Sequence, residues 1–403
     1  MRRPTAGRLA TALLALSALV PLTLAAPTAQ AVPPSAAVFT GDAYADDCPP
    51  DGLDPALAAR LDQAIEQTLQ ETGTPGVIVG LRLPGRGTYL HTAGVADTAT
   101  GQPMTPDLRM RIGSETKTFT VTAVLELVDR GLVGLDDPIS AHLDGVPDGE
   151  HITIRQLAEM RSGLFSYTAD DDFVHDLLSD PTRPFTPPEL LTYAFHHPNV
   201  FAPGSKFQYS NTNTVLLGLL VEKLCGLPLA EFIHRNVTGP AHLPHTLFPQ
   251  GAEFPEPHAH GYTNQTLSGR IADATDWNPS WGWAAGAMIS DLDDLHRWAK
   301  VLATGTLLSP ATQAEREKFI PVPGFDDSGY GLGLFRNHGW VGHNGSLPGY
   351  ESVTMYLPEQ DATMVILLNT DVLHAGSEPS TLFAKAVTSI VTPEHVYDIP
   401  AES

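Results

Sequence analysis

The sequence predicts an α+β fold, in which an antiparallel sheet is flanked by helices and an all-helical domain is inserted into the chain. Strand patterns occur near both ends of the chain, and helical patterns fill its middle. The strands near the end follow one another directly instead of alternating with helices, which favours antiparallel pairing over a doubly wound sheet. We therefore expect an α/β domain from residues 51–117 and 279–395, and a helical domain from residues 118–278.

The first elements of the sheet domain are a helix and a hairpin. Leucine and isoleucine recur at four-residue spacing through Leu57–Glu71, which predicts an amphipathic helix. Val77–Leu83 is a continuous apolar run typical of a buried strand, and a Pro-Gly turn separates it from a second strand, Thr88–Val95.

The remaining strands lie in the last third of the chain. They are predicted at Trp283–Ile289, Gly331–Phe335, Gly339–Gly342, Val353–Leu357 and Met364–Asn369. Ser290 and Asp291 open a helix between the first two strands in the manner of a capping box, and Ser380–Val391 predicts a final helix.

The first 31 residues have the pattern of a secretory signal peptide. Arginines precede an apolar stretch, Leu9–Ala26, and the small residues Ala29 and Ala31 mark a cleavage site. An uncleaved membrane anchor is the alternative, but the apolar stretch is short for a span. Residues 32–50 are rich in Ala, Pro and Asp and predict a flexible lead-in. We expect a secreted, extracellular protein with no membrane anchor after cleavage.

The charge and the cysteines limit the partners of the chain. It carries 46 acidic residues against 23 Lys and Arg, a net charge of −23. Such a surface repels polyanions, so nucleic acid is not expected as a partner. The two cysteines, Cys48 and Cys225, either form one disulfide outside the cytoplasm or leave Cys225 as a small buried residue. We expect a monomer.

Ser114 and Lys117 form a Ser-x-x-Lys motif at the start of a predicted helix. An apolar stripe through residues 119–128 supports that helix, and Gly131 ends it. Side chains three residues apart lie on one helical face, so the lysine is placed to take the proton of the serine hydroxyl. Burial would lower its pKa enough for that role. Alone, the motif is more often an N-cap serine with a solvated lysine.

Two further motifs accompany it. Tyr209 and Asn211 lie in a predicted loop before a helix, Val215–Cys225, where a tyrosine can move a proton and an asparagine can bind an amide. His343 follows a strand, and the backbone N–H of Ser346 can pair with that of Ser114 as an oxyanion hole. The structural alternatives are a half-buried tyrosine and an ordinary turn histidine.

Together, Ser-x-x-Lys, Tyr-x-Asn and His-x-Gly resemble the serine penicillin-recognising hydrolases. Within that family the sequence resembles secreted D-alanyl-D-alanine carboxypeptidases, which are akin to class C β-lactamases. The resemblance covers about residues 55–390 and includes residues 94–97, 156–164 and 285–290. The resemblance implies the β-lactamase/DD-peptidase-like fold, with a cleft between the two domains.

The resemblance also assigns roles. It implies that Ser114 is acylated, that Lys117 and Tyr209 handle its proton, and that His343 lines the opposite wall. The residues that it places against the substrate are Asn211, Asn344, Ser346, Trp281, Phe173 and Arg336. Asn344 stands where the carboxypeptidases have threonine, and Phe335 where they have a carboxylate-binding arginine. Arg336 would need a shifted register to replace it, because neighbouring strand residues point to opposite faces.

The expected activity is that of a D-Ala-D-Ala carboxypeptidase, acting on peptides or muropeptides and acylated by β-lactams. A D-aminopeptidase, D-amino-acid amidase, esterase or class C-like β-lactamase is the alternative on the same scaffold, and a non-catalytic β-lactam or muropeptide binder is an alternative of another class. No cofactor is expected. No metal is expected either, because neither His196-His197 nor His258-Ala259-His260 has a third ligand at the sequence spacing of a known metal-binding motif.

Overall fold

The computed structural model describes residues 52–400 of the protein. The predicted signal peptide (1–31) and lead-in (32–50) lie outside the described residues. Cys48 lies there too, so its disulfide with Cys225 stays a prediction. Between residues 52 and 400, no helix is both long and apolar enough to cross a membrane.

One antiparallel sheet of nine strands dominates the described part of the chain. Its spatial order is β3-β2-β1-β13-β12-β11-β10-β9-β8. The strands from the start of the chain are β1 (Gly76–Leu83), β2 (Gly87–Asp97) and β3 (Gln102–Pro103). Those from its end are β8 (Ile320–Pro321), β9 (Ser328–Tyr330), β10 (Phe335–Asn337), β11 (Trp340–Leu347), β12 (Tyr350–Leu357) and β13 (Ala362–Leu368). Val77 pairs with Leu368, which confirms that both ends of the chain build one sheet.

Helices cover both faces of this sheet. Helices α1 (Pro55–Thr72) and α10 (Pro379–Val391) pack on the face that carries Val77 and Val79. The alternate residues of β1 face the other way, and a Cβ on Gly80 would lie 2.4 Å from His296 of α8 (Leu292–Thr304). Because successive side chains of a strand point to opposite faces, both faces of the sheet are buried. The core therefore has three layers, with the sheet between two layers of helices.

The middle of the chain is helical, as predicted, but only in part. Its helices are α2 (Thr116–Asp129), α3 (Ile154–Ala158), α4 (Asp171–Ser179), α5 (Pro187–Phe195), α6 (Asn211–Cys225), α7 (Leu229–Ile233) and a π-helical turn, His234–Thr238. The prediction of helices up to residue 278 is wrong for residues 239–278. That stretch holds a two-stranded ladder, β5 (Tyr262–Thr263) and β6 (Ala272–Asp273), because its many prolines interrupt helices. The division into two domains stays a prediction.

Two predicted strands near the end need correction. Trp283–Ala285 forms a 3-10 turn, and only β7 (Ile289–Ser290) is extended; it pairs with β4 (Met110–Arg111), outside the large sheet. In the predicted strand Gly331–Phe335, only Phe335 is extended, as the first residue of β10; residues 331–334 form a turn between β9 and β10, in which Gly331 N–H donates to Leu334 O. The helix predicted after Ser290 is α8, capped by the Asp291 carboxylate, and α9 (Pro310–Arg316) follows it.

Candidate active site

Ser114 lies where β4 turns into α2. It is the middle residue of a 3-10 turn, Gly113–Glu115, that leads into α2. Gly113 has a φ of +50°, and a Cβ added there would lie 2.8 Å from the backbone N of Ser346. Only glycine permits this approach, and it brings the Ser346 amide on β11 beside Ser114. The two N–H groups predicted as an oxyanion hole are therefore neighbours.

Lys117 lies one turn into α2 and is fully buried. Its Nζ is 2.9 Å from Ser114 Oγ and donates a hydrogen bond to Ala285 O at 2.8 Å. Burial lowers the pKa of Lys117 well below its ordinary value. A neutral amine keeps a lone pair, so this lysine can accept the proton of the Ser114 hydroxyl.

Tyr209 covers this pair from the loop before α6. The Lys117 Nζ lies 4.8 Å from the centre of its ring. The side chain is half-buried, but its hydroxyl oxygen is shielded from solvent. Burial raises the pKa of Tyr209, and an interaction with the Ser114 side chain opposes that shift. The phenol therefore keeps its proton and can pass it on only when a neighbour takes over the charge.

His343 faces the same cleft from β11, but both of its ring nitrogens have partners. Nδ1 lies 2.5 Å from Asn344 O, which can only accept, so Nδ1 carries the proton. Nε2 then accepts from the Tyr330 hydroxyl at 3.1 Å. Burial and the nearby Lys117 lower the pKa of His343 to about 3. The imidazole is thus neutral near pH 7. The catalytic role of His343 stays a prediction.

The cleft has two lobes that meet at Ser114 and Ser346. The small lobe is a cavity of about 160 Å³, lined by Ser114, Tyr167, Thr168, Asn211, Gln265, Trp281, Ser346, Leu347 and Pro348 among others. The large lobe is a cavity of about 680 Å³, and its lining includes Ser114, Phe207, Tyr209, Phe325, Tyr330, Phe335, His343, Asn344, Ser346, Asp371 and Glu378.

The predicted substrate-binding residues divide between these lobes and the core. Asn211 and Trp281 line the small lobe, and Asn344 lines the large one. The Asn211 amide donates to Thr168 at 3.0 Å, and the residue is the first of α6, not part of the preceding loop.

Two predicted substrate contacts are absent from the described linings of both lobes. Phe173 is only 2% exposed and packs among the core aromatics Tyr167 and Phe185, with its ring 6.2 Å from that of Trp281. It supports the cleft wall from behind.

Arg336 also fails to reach the cleft, because Phe335 takes the inward position on β10. The Arg336 guanidinium stacks on the Phe319 ring at 5.0 Å, on the opposite face of the sheet. The strand keeps its regular register, with Arg336 paired to Val341, so the shift that this contact required does not occur.

The sequence analysis missed Tyr330 and Glu378. Tyr330 lies 13 residues before His343 on another strand, and its hydroxyl is 3.1 Å from His343 Nε2. Glu378 precedes α10 and accepts a hydrogen bond from the Asn344 amide at 3.1 Å. No local pattern marks it, since 34 residues separate it from Asn344.

One group of side chains has metal-ligand types in proximity. Ligand atoms of His245, Asp291 and Asp294 lie within 4.8 Å of one another. Each carboxylate already has a structural task, because Asp291 caps α8 and Asp294 accepts from the His245 N–H and from Thr246. The group is remote from both lobes and is best explained by these hydrogen bonds.

A serine in contact with a fully buried lysine, next to the backbone N–H of Ser346, is the arrangement of a serine hydrolase on an α+β scaffold. The chain belongs to the Beta-lactamase family, whose family model matches residues 61–386.

Three similar proteins illustrate that membership. The chain is 28% identical over 322 residues to Protein flp of Staphylococcus aureus, an alignment that covers 77% of this chain and 62% of the relative. The chain thus spans less than two thirds of that relative. A D-stereospecific amidohydrolase from Streptomyces sp. has a TM-score of 0.72 and 33% identity, covering 78% of this chain and 94% of the other. A D-amino acid amidase from Ochrobactrum anthropi, complexed with D-phenylalanine, has a TM-score of 0.73 and 28% identity. The match covers 83% of this chain and 99% of the amidase.

Proposed function

We propose that the protein is an exported serine amidohydrolase that cleaves amides of D-amino acids through an acyl-enzyme on Ser114. The observation that carries the proposal is the 2.9 Å contact between Ser114 Oγ and a fully buried Lys117. Burial lowers the pKa of this lysine well below its ordinary value, which favours the neutral amine as a base in contact with its nucleophile. The similarity to a D-stereospecific amidohydrolase supports the substrate class.

The proposed reaction has two stages. Ser114 Oγ attacks the amide carbonyl while its proton moves to Lys117, and the oxyanion is bound by the N–H groups of Ser114 and Ser346. The leaving nitrogen takes a proton through Tyr209 as the C–N bond breaks, and the amine departs. Water then hydrolyses the ester and restores the serine hydroxyl. Release from the cytoplasm rests on the predicted signal peptide, residues 1–31.

The D-Ala-D-Ala carboxypeptidase activity expected from the resemblance stays a competing prediction. The serine, lysine and tyrosine suit both reactions equally. A carboxypeptidase must also hold the free carboxylate of its substrate, and Arg336, the one cation offered for that task, stacks on Phe319 on the other face of the sheet. The position of Arg336 therefore favours the amidohydrolase.

Hydrolysis of four matched substrates tests the proposal. They are D-alaninamide, its L enantiomer, a D-Ala-D-Ala peptide and the same peptide with a C-terminal amide. We expect turnover of the D amides, little of the L amide, and slower turnover of the peptide with the free carboxylate. Faster cleavage of that free peptide than of its amide would establish the carboxypeptidase instead. A Ser114→Ala variant with undiminished turnover would refute both.

A further inference from the structure

The proposed reaction assigns the two lobes of the cleft to two parts of the substrate. Tyr209 passes a proton to the departing nitrogen, so the two must come within hydrogen-bond reach of each other. Tyr209 lines the large lobe and is absent from the described lining of the small one. The leaving amine therefore extends into the large lobe, and the acyl group lies towards Asn211 and Trp281 in the small lobe.

The large lobe is much larger than the ammonia that a primary amide releases. Its volume is about 680 Å³, whereas ammonia is close in size to a water molecule, whose share of liquid volume is about 30 Å³. Ser114 lines the same cavity, so the surplus volume adjoins the bond that is cleaved. Only a leaving amine that carries a chain of several atoms would fill this space.

Four large apolar side chains from separate segments meet in this lobe. Phe207 comes from the loop before α6, Phe325 from the turn between β8 and β9, Leu373 from the segment after β13, and Ile399 from the segment after α10. Phe207, Phe325 and Ile399 are only half-buried, and Leu373 is 47% exposed. Each of them thus keeps apolar surface that a ligand in the lobe would remove from water.

The core of the sheet supports this apolar wall. Val322, Tyr330 and Phe335 are buried residues of the main core cluster that also line the lobe, and Phe207 and Phe325 pack against that cluster. The Phe207 ring lies 5.7 Å from the Tyr330 ring, and Tyr330 pairs with Phe335 between β9 and β10. The wall is therefore an extension of the core that is already formed without a ligand.

The polar residues of the lobe do not offer a matching site for a charged leaving group. Asp371 accepts from the Gly349 N–H at 2.9 Å and from the Gln265 amide, and the Asn344 amide donates to Glu378 at 3.1 Å. The described lining of the lobe contains no lysine or arginine. A leaving group with a carboxylate would lose hydration there without meeting a cation, whereas an alkyl or aryl chain loses nothing.

We propose that the large lobe is an apolar leaving-group site, which makes the enzyme selective for N-substituted amides of D-amino acids whose amine carries an extended alkyl or aryl chain. The inference rests on the proposed amidohydrolase function and adds its leaving-group specificity. The chemistry is unchanged, since one C–N bond breaks, one proton passes to the departing amine, and water releases the D-amino acid from Ser114.

A series of D-alanine amides tests this selection. The leaving amines are methylamine, butylamine and hexylamine, which have nearly equal basicity, so the series changes the apolar area and not the reactivity of the bond. A fourth amide carries 2-(2-hydroxyethoxy)ethylamine, which has the length of hexylamine but replaces two carbons of the chain by oxygens. That amine is the slightly better leaving group, so any preference for hexylamine must come from apolar contact.

For the wild type we expect kcat/KM to rise by about threefold for each methylene between methylamine and butylamine, and to rise further with hexylamine. The polar amide should be at least about tenfold slower than the hexyl amide. The gain should appear mainly in KM, because the chain is buried to the same extent in the bound substrate and in the transition state.

Two variants of the wall should weaken the preference. Phe325→Ala removes a ring from the lobe, and Leu373→Asp places a charge at its exposed side; each should lower the ratio of kcat/KM for the hexyl and methyl amides by about fivefold. Phe195→Ala, at a half-buried phenylalanine of α5, and Leu132→Asp, at a leucine that is 51% exposed, are the matched controls outside the described linings of both lobes. Both controls should keep the wild-type ratio.

The outcomes separate this inference from the proposed function. A value of kcat/KM that stays level or falls from the methyl to the hexyl amide, equal turnover of the polar amide, or an unchanged ratio in both wall variants would overturn the apolar leaving-group site. Absence of turnover for D-alaninamide and for all of its N-substituted forms would instead refute the proposed function. The ratio within one preparation is independent of the amount of active enzyme, so a variant that folds poorly still gives a result.

Discussion

The floor of the cleft and its large lobe hold ionisable side chains at different degrees of burial. At the floor, full burial drives Lys117 towards its neutral form and leaves it in contact with Ser114. In the lobe, Glu378 is only half-buried and is held by the Asn344 amide. The comparison shows that burial differs within one cleft: desolvation lowers the pKa of the lysine at its floor, while the lobe holds a carboxyl group that is only partly buried.

Replacing the base should have the largest effect. Lys117→Met fills the same buried space without an amine, so the Ser114 hydroxyl loses its proton acceptor. We expect kcat/KM to fall by about 10³- to 10⁴-fold with D-alaninamide as substrate. Lys300→Met, a change at a lysine that pairs with Asp361 and is half-exposed, is the control. Loss of less than about tenfold would show that another group is the base.

Removing the phenol of Tyr209 should have the next largest effect. Tyr209→Phe keeps the ring over Lys117 but cannot pass a proton to the leaving nitrogen. We expect a decrease of about 10²-fold in kcat/KM, smallest for substrates with good leaving groups. Tyr356→Phe, which removes a hydroxyl bonded to Asp361, should leave kcat/KM unchanged. An equal loss for good and poor leaving groups would contradict the assigned role.

The pH profile distinguishes Lys117 from His343. A lysine with a lowered pKa is charged and inactive below that pKa, so kcat/KM should rise with pH as the amine loses its proton. His343, with a pKa of about 3, is neutral across the working range and should add no step. In His343→Gln we expect the same rising limb and a loss of only about tenfold. Disappearance of the limb would make His343 the titrating group.

Trp281 and Phe173 test which aromatic side chain meets the substrate. Trp281→Ala opens the small lobe and should raise KM by about fivefold, because it removes apolar contact with the acyl group. Phe173→Leu should instead lower the free energy of unfolding by about 1–2 kcal/mol, with KM unchanged. Thermal unfolding and steady-state kinetics on both variants separate the two. A changed KM in Phe173→Leu would indicate that Phe173 contacts the substrate.

Arg336 should give the smallest effect. Because its guanidinium stacks on Phe319 away from both lobes, Arg336→Ala should keep kcat/KM within about twofold for free and amidated peptides alike. A selective loss on the peptide with a free carboxylate would mean that this arginine reaches the cleft after all.

The sequence predicted the parts of the molecule that depend on local spacing. Ser114 and Lys117 are one helical turn apart, and the sheet built from both chain ends follows from apolar runs such as Val77–Leu83. The sequence did not determine whether Phe335 or Arg336 faces the cleft, because a strand pattern alone does not fix which of two neighbouring residues points inward. Only the pairing of Arg336 with Val341 settles it.

The contacts in the large lobe could not be predicted from such patterns. Glu378 meets Asn344 through a contact between α10 and β11, and neither residue lies in a recognisable motif with the other. The contact of His343 Nε2 with the Tyr330 hydroxyl likewise joins residues 13 positions apart on different strands. Tertiary packing thus brings the side chains of the large lobe together, while Ser114 and Lys117 lie one helical turn apart.

The central claim is that Ser114 carries the acyl group, and labelling by a β-lactam tests it most directly. The protein is incubated with a labelled penicillin and digested, and the labelled peptide is identified by its mass. We expect one adduct, on the peptide that contains Ser114, and no adduct in Ser114→Ala. A label on another peptide, or one that persists in Ser114→Ala, would contradict this account of the cleft.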